Sequence, residues 1–286
     1  MLFDSHSHFN NEDYTQQERQ ELLERIDEAV KDGQMSCAMD IGFNLESSIM
    51  AVEHAKAWPW CYAAVGCHPH DAKEMDDNKL NAISQLAREE KAVAIGEIGL
   101  DFHYDISPRD VQREWFRKQI RLANKLKMPI AIHAREADQE VMDILVEEGA
   151  FSNERKSWFP MRPDPEGFAG GKDGQSADAR VLLHCFSGSA ELGREYVKMG
   201  ATLSVAGPVT YKNNKKTVGM VMAIPIEFLL IETDSPYLTP VPFRGKKNNP
   251  LYVEHVARRI AHIKNMDYED VVKTTADNAR RFYGIE

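Results

Sequence analysis

Short apolar and β-branched runs alternate with longer amphipathic ones along the whole chain, and this rhythm is the strongest constraint on its fold. Strands are predicted at Leu2–His6, Cys37–Ile41, Tyr62–Gly66, Ala92–Ile95, Pro129–His133, Val181–His184, Ala201–Ser204 and Phe228–Ile231. Helices are predicted between them at Gln16–Lys31, Leu45–Ala57, Asn78–Glu89, Pro108–Leu126, Asp138–Glu147, Ala190–Lys198 and Asn214–Ala223, with two more near Leu251–Lys264 and Tyr268–Tyr283. Phe116, Ile120, Leu122, Ala123 and Leu126 give the i, i+3, i+4 stripe of a helix lying on a sheet, with Pro108 in its first turn and Ser107 as its cap. Eight strands, each followed by a helix, predict an α/β fold, a closed parallel TIM (β/α)8 barrel. An open doubly wound sheet is the rival. No Gly-x-Gly-x-x-Gly or Walker-type loop follows a strand, so no nucleotide cofactor is expected.

The 286 residues suit one large domain, 1–286. Phe151–Ala179 breaks the rhythm with Gly, Pro, Asp, Lys and Ser and no period, and is expected to be a flexible loop inserted on the N-terminal face of the barrel, away from the chemistry. No apolar run approaches the ~20 residues of a membrane helix, and Asp4, His6 and His8 replace the basic start of a signal peptide. None of Cys37, Cys61, Cys67 and Cys185 forms a Cys-x-x-Cys pair. Reduced thiols in a cytoplasmic protein are therefore expected. The net charge of −10 argues against broad wrapping of nucleic acid but allows one local basic patch.

In a parallel barrel the C-terminal ends of all strands open on one face, so residues distant in sequence converge there. Strand one delivers His6 and His8, two apart and hence on the same side of an extended chain. Strand four delivers Glu97, strand five His133, strand six His184 and strand eight Asp234. Singly, each of these is an ordinary polar strand end or helix cap. Together they are four imidazoles and two carboxylates, enough for two divalent ions sharing a bridge. A bridge must offer two oxygens, and Glu97 is central in strand order, with Gly96 and Gly99 allowing close backbone approach. His6, His8 and Asp234 would then hold one ion, and His133 with His184 the other.

Six blocks in order, Asp4-Ser5-His6-Ser7-His8, Gly66-Cys67-His68-Pro69-His70, Gly96-Glu97-Ile98-Gly99-Leu100-Asp101, His133-Ala134-Arg135-Glu136-Ala137, His184-Cys185-Phe186-Ser187-Gly188 and Glu232-Thr233-Asp234-Ser235-Pro236-Tyr237-Leu238, resemble the TatD-type metal-dependent deoxyribonucleases of the amidohydrolase superfamily. The resemblance spans nearly the whole chain outside Phe151–Ala179. It implies metal sites at the same six positions and hydrolysis of DNA phosphodiester bonds, often with exonuclease character. The family's first block usually continues Leu-Asp where this chain has Phe9-Asn10, a difference that bears on substrate preference.

Basic residues cluster on two rim loops, Lys212, Lys215 and Lys216 after strand seven and Arg244, Lys246 and Lys247 after strand eight. Arg135 directly follows His133. In an acidic chain these read as phosphate contacts for a DNA strand, as solvated charge otherwise, with Tyr211, Tyr237 and Phe243 interleaved as base platforms or as a local apolar floor. His68 is expected to contact the scissile phosphate, Asp101 and Glu232 to orient ligand histidines, and Asp234 to take the proton of the attacking water. Imidazoles favour Zn, Fe or Mn, nuclease chemistry often Mg. A small-molecule amidohydrolase or esterase on the same two-metal barrel is the alternative, and it would do without the basic loops.

Overall fold

Strand β1 (Leu2–Ser7) is buried along its whole length, which a parallel strand covered on both faces requires. The same holds for most of β2 (Met35–Ile41), β3 (Cys61–Val65), β4 (Ala92–Asp101), β8 (Val181–Leu183), β9 (Ala201–Val205) and β10 (Leu229–Ile231), with β5 (Ile130–Arg135) emerging at its end. In this computed structural model, which describes residues 1–285, these eight strands pair in parallel in the order β1-β2-β3-β4-β5-β8-β9-β10. The ring is joined by Ser5 Oγ donating to Ile231 O at 2.9 Å, Asp234 N to His6 O at 2.9 Å and His8 N to Ser235 O at 2.8 Å. The barrel expected from the alternation is the fold observed.

Helices α1 (Gln16–Lys31), α2 (Leu45–Ala57), α3 (Asp77–Leu86), α4 (Arg109–Leu126), α5 (Asp138–Glu147), α6 (Asn153–Lys156), α7 (Ala190–Met199), α8 (Lys215–Ala223), α9 (Val253–Lys264) and α10 (Tyr268–Tyr283) follow in chain order. Sequence-local signals set many boundaries. Thr15 and Glu18 close a reciprocal capping box on α1, and Gly200 ends α7 in the left-handed conformation. Inside the barrel, Phe3, Met39, Ile41, Leu182 and Leu230 form one apolar cluster with Phe282 and Tyr283 of α10. Tyr283 donates its hydroxyl to Ser5 O at 2.9 Å, so α10 plugs the barrel below the strand ends.

Two expectations are corrected. Pro108, not Ser107, is the residue capping α4, and it makes no side-chain cap bond. The buried Ser107 hydroxyl instead donates to His70 O at 2.7 Å and accepts from Lys73 N at 3.0 Å; a tertiary tie to the loop after β3 replaces the local cap. The Phe151–Ala179 segment is not a loose decoration. It contains α6 and an antiparallel hairpin of β6 (Arg162–Pro163) and β7 (Gln175–Ser176), and it buries Arg155 and Arg162 completely. Arg155 donates to Ala179 O at 2.8 Å, Asn124 Oδ1 at 2.7 Å and Met128 O at 2.8 Å. Arg162 donates to Ala201 O and Val197 O, each at 2.6 Å. Met128 and Ala179 precede β5 and β8 and Ala201 opens β9, while Asn124 lies in α4 and Val197 in the last turn of α7, so the two guanidiniums satisfy acceptors at strand starts and helix ends that would otherwise be left bare.

Candidate metal centre

Strand β4 runs to Asp101, well past the predicted end at Ile95, so Glu97 sits within it rather than beyond it. A Cβ on Gly99, whose φ is +151°, would lie 1.9 Å from His133 O; only glycine lets β4 approach β5 this closely, and the approach sets Glu97 against His133. The two carboxylate oxygens of Glu97 face different histidines. Oε2 stands 3.4 Å from His6 Nε2 and 3.5 Å from His8 Nε2. Oε1 stands 2.9 Å from His133 Nδ1 and 2.7 Å from His184 Nε2, and these two nitrogens are 3.4 Å apart. Asp234 Oδ1 completes the first half at 3.4 Å from His8 Nε2 and 4.0 Å from His6 Nε2. Donor atoms around a tetrahedral ion with ~2.05 Å bonds are about 3.3 Å apart, so both halves have the spacing to hold one ion each. All six predicted side chains are thus brought to one cluster.

The hydrogen bonds around these side chains fit a metal-binding donor set. Neither ring nitrogen of fully buried His6 makes one, a cost that a cation would remove. His8 Nδ1 lies 2.8 Å from Ile41 O; a carbonyl only accepts, so Nδ1 carries the proton and Nε2 offers a lone pair to the cluster. His133 Nε2 meets Asp101 Oδ2 at 3.1 Å, and His184 Nδ1 meets Glu232 Oε1 at 3.4 Å. His8, His133 and His184 therefore each have an acceptor on the outer side and turn the other nitrogen toward Glu97, the arrangement metal-binding histidines use. Asp101 and Glu232 are fully buried rather than exposed caps. Ser204 donates to Glu232, and Asp4 accepts from Thr233 N at 2.9 Å and Thr233 Oγ1 at 2.6 Å, fixing the residue before Asp234.

His68 is closer to the centre than the sequence suggested, with Nε2 3.6 Å from Glu97 Oε1. Its Nδ1 accepts from His70 N at 3.1 Å, so the neutral ring carries its proton on Nε2 and presents a donor, not a lone pair. The centre opens into a cavity of about 1120 Å³ whose wall includes His68, Arg135 and Tyr237. Arg244 and Lys246 do not line it. Arg244 lies over the Tyr211 ring at 4.2 Å and Lys246 over Phe243 at 5.5 Å. Phe243 itself stacks on Tyr252 at 4.4 Å, as a local apolar floor. Sequence reading missed Tyr104, which lines the cavity; its signal was the aromatic-rich Phe102-His103-Tyr104 run just after the Glu97 strand.

The profile of TatD-related DNases matches residues 3–284. The chain belongs to the TatD-related DNase family. It is 43% identical to the uncharacterized metal-dependent hydrolase YabD of Bacillus subtilis over 285 residues, the full length of both. It is 32% identical to the 3′-5′ ssDNA/RNA exonuclease TatD of Citrobacter rodentium across 85% of each chain. Among solved structures, the TatD homologue YjjV of Escherichia coli superposes with a TM-score of 0.81 at 22% identity, covering 100% of this chain and 98% of that one. That similarity speaks to the fold.

In this TatD-related chain the electrostatics of the cluster follow from burying carboxylates and imidazoles together. Burial raises the Glu97 pKa, but the charge of His184 and the hydrogen bonds from His133 and His184 outweigh it and hold the group well below the usual carboxylate range. Asp234 is lowered too, against burial, chiefly by its bond with His8. Burial pulls His8 down, yet the Asp234 bond and the Glu97 charge carry it up to about 9. His184 is raised well above its ordinary value, Glu97 and Glu232 overcoming burial. His6 and His68 are lowered by burial, assisted by His184 and His133 respectively. The site calls for positive charge, and without ions protons on His8 and His184 supply it.

Proposed function

We propose that this chain is a metal-dependent phosphodiesterase that removes nucleotides from a 3′ end of single-stranded nucleic acid, working as one catalytic domain. The observation that carries the reading is the division of Glu97, with one oxygen facing His6 and His8 and the other His133 and His184. In this reading Glu97, His6, His8 and Asp234 would hold one divalent ion, and Glu97, His133 and His184 would hold a second. Zn, Mn and Mg all remain compatible with such a donor set. Ions bound there would acidify water and neutralise developing phosphoryl charge. Polarity and substrate class follow the named activity of the Citrobacter rodentium relative.

The chain's own residues then have separable tasks. Asp234, ionised and 14% exposed at its side chain, accepts the proton of the attacking water. His68 directs its Nε2 proton at the phosphoryl oxygen. Arg135, exposed on the cavity wall, pairs with a phosphate. Arg244 and Lys246 lie outside the cavity and serve the strand's backbone further along, where attraction is long-ranged and salt-sensitive. Four free cysteines fit a reducing compartment such as the cytoplasm; no helix among the described residues is long and apolar enough to cross a membrane.

The test pairs elemental analysis of the purified protein with an assay on end-labelled single-stranded and duplex DNA, with and without chelator. Chelator-sensitive, stepwise loss of 3′ nucleotides from the single strand is the expected result. Degradation indifferent to chelator, or hydrolysis confined to small esters and amides, would overturn the reading.

A further inference from the structure

Tyr104 is 55% exposed on the cavity wall, and Ile106, 48% exposed, lies on the same wall. An exposed aromatic and a branched aliphatic side chain stand together on this wall, while the other exposed aromatic of the lining, Tyr237, lies after β10. The ring is held in place. Its edge contacts are His70 at 5.4 Å and His103 at 4.9 Å between centroids, and His70 Nε2 is bound to Asp101 Oδ2 at 3.0 Å, the carboxylate that also orients His133. Tyr104 is therefore fixed relative to the catalytic cluster through two side chains. The Arg135 guanidinium lies over its ring at 4.6 Å.

Arg135 differs from the arginines of α4. Arg113, Arg117 and Arg121 are each paired with glutamates, whereas no hydrogen bond or ion pair holds the Arg135 side chain among the described residues. A guanidinium anchored by its face keeps its N–H edge free. Glu12, Glu46 and Asp71 line the cavity on the segments after β1, β2 and β3, against a single cation there, Arg19, among the lining residues, which leaves that side acidic. The cations Lys212, Lys215, Lys216, Arg244 and Lys246 lie on the segments after β9 and β10. A bound strand must leave over the cationic loops, and its terminal nucleoside, lacking a further phosphate, falls on the Tyr104 side.

We infer that Tyr104, backed by Arg135, is the platform on which the terminal nucleobase stacks, so that the substrate is recognised by an unpaired base as well as by its phosphodiester. This inference rests on the nuclease reading above. Stacking on an aromatic face accepts every base, so the platform selects single-stranded ends without selecting sequence.

The experiment compares full-chain, metal-replete wild type, Tyr104→Ala and Tyr104→Phe on oligonucleotides ending in a normal or an abasic 3′ nucleotide, and titrates a deoxynucleoside monophosphate by calorimetry. The wild type is expected to favour the base-bearing end in kcat/KM by about tenfold or more. That preference should collapse towards one in Tyr104→Ala and return in Tyr104→Phe, with monophosphate affinity following the same pattern. If oligonucleotides are hydrolysed and Tyr104→Ala keeps the preference, the platform is overturned and the nuclease reading stands. If no oligonucleotide is hydrolysed while monophosphate affinity still depends on the Tyr104 ring, the platform stands and the nuclease reading falls. Neither hydrolysis nor ring-dependent binding would sink both.

Discussion

Glu97→Gln is the sharpest perturbation of the proposed centre, because the amide keeps the shape of the side chain and changes its chemistry. Five imidazole nitrogens lie within 3.6 Å of the carboxylate, from His184 at 2.7 Å to His68 at 3.6 Å. Glutamine offers one oxygen and one NH2, which only donates, so one half of the cluster keeps a neutral ligand and the other meets a donor. The lost attraction between a unit anion and a dication, even at ~4 Å and an effective dielectric of ~20, is roughly 8 kcal/mol per ion. Relief of the carboxylate's desolvation cancels part of this. Taking half as the net leaves about 4 kcal/mol, or about a thousandfold in affinity. The expected outcome is a fall from two tightly held ions per chain to at most one, and a loss of about 10³ or more in kcat. Elemental analysis after gel filtration gives the stoichiometry, end-labelled single-stranded DNA the turnover, and circular dichroism the integrity of the fold. A folded variant that keeps both ions and turns over within tenfold of wild type would refute the bridging argument.

Other consequences are open to direct measurement. In metal-free protein His8 has its pKa raised from 6.5 to about 9, so its favourable contribution is complete below pH 6.5 and is lost as pH rises through 9, about 3 kcal/mol in all. Urea unfolding of chelated protein should show this decline, and His8→Asn should flatten it. Loading an ion must displace the same proton, so apparent metal affinity should climb over that interval in competition titrations. Asp101→Asn removes the negative charge behind both His133 and His70 and leaves a single, neutral acceptor oxygen, and is expected to weaken one ion by about 10- to 100-fold in calorimetry, with the other little changed. Arg155→Met strands three acceptors bonded within 2.8 Å and should cost roughly 3–5 kcal/mol in denaturant titrations; an unaltered midpoint would return the inserted segment to the status of a loose loop.

The fold was legible because its period is local. Helices Gln16–Lys31, Leu45–Ala57, Asp138–Glu147 and Tyr268–Tyr283 coincide with the reading from pattern alone. The six strand-end side chains were legible because barrel topology turns order along the chain into convergence. What escaped the sequence depends on partners that no local pattern names. Arg155 and Arg162 sit in a Gly- and Pro-rich stretch that resembles a solvated loop, yet their donors meet carbonyls at strand starts 24 and 39 residues away. Ser107 looked like a cap and serves the His70 loop instead. Arg244 and Lys246 looked like active-site cations because they follow β10, but that connection runs from Glu232 to Asn249 before the next helical turn, and its length carries them out onto aromatic neighbours.

The cluster also links loading to stability. Glu97, Asp101 and Glu232 are buried around His6, His8 and His184, and Asp234 stands beside them. Glu97, Asp101 and Asp234, each held below the usual carboxylate range against its burial, are tolerated there only if positive charge enters with them. Protons on the raised histidines meet part of that demand near neutral pH, but they occupy the nitrogens that would otherwise ligate. Ions and protons would therefore compete for one set of lone pairs, either supplying positive charge to the buried carboxylates. It follows that chelation should leave the barrel folded while lowering its unfolding temperature, and that metal at a thousand times its dissociation constant should restore about 4 kcal/mol per site. The shift should be smallest in mild acid, where protons replace the ions most fully, and largest near pH 9, where they no longer do.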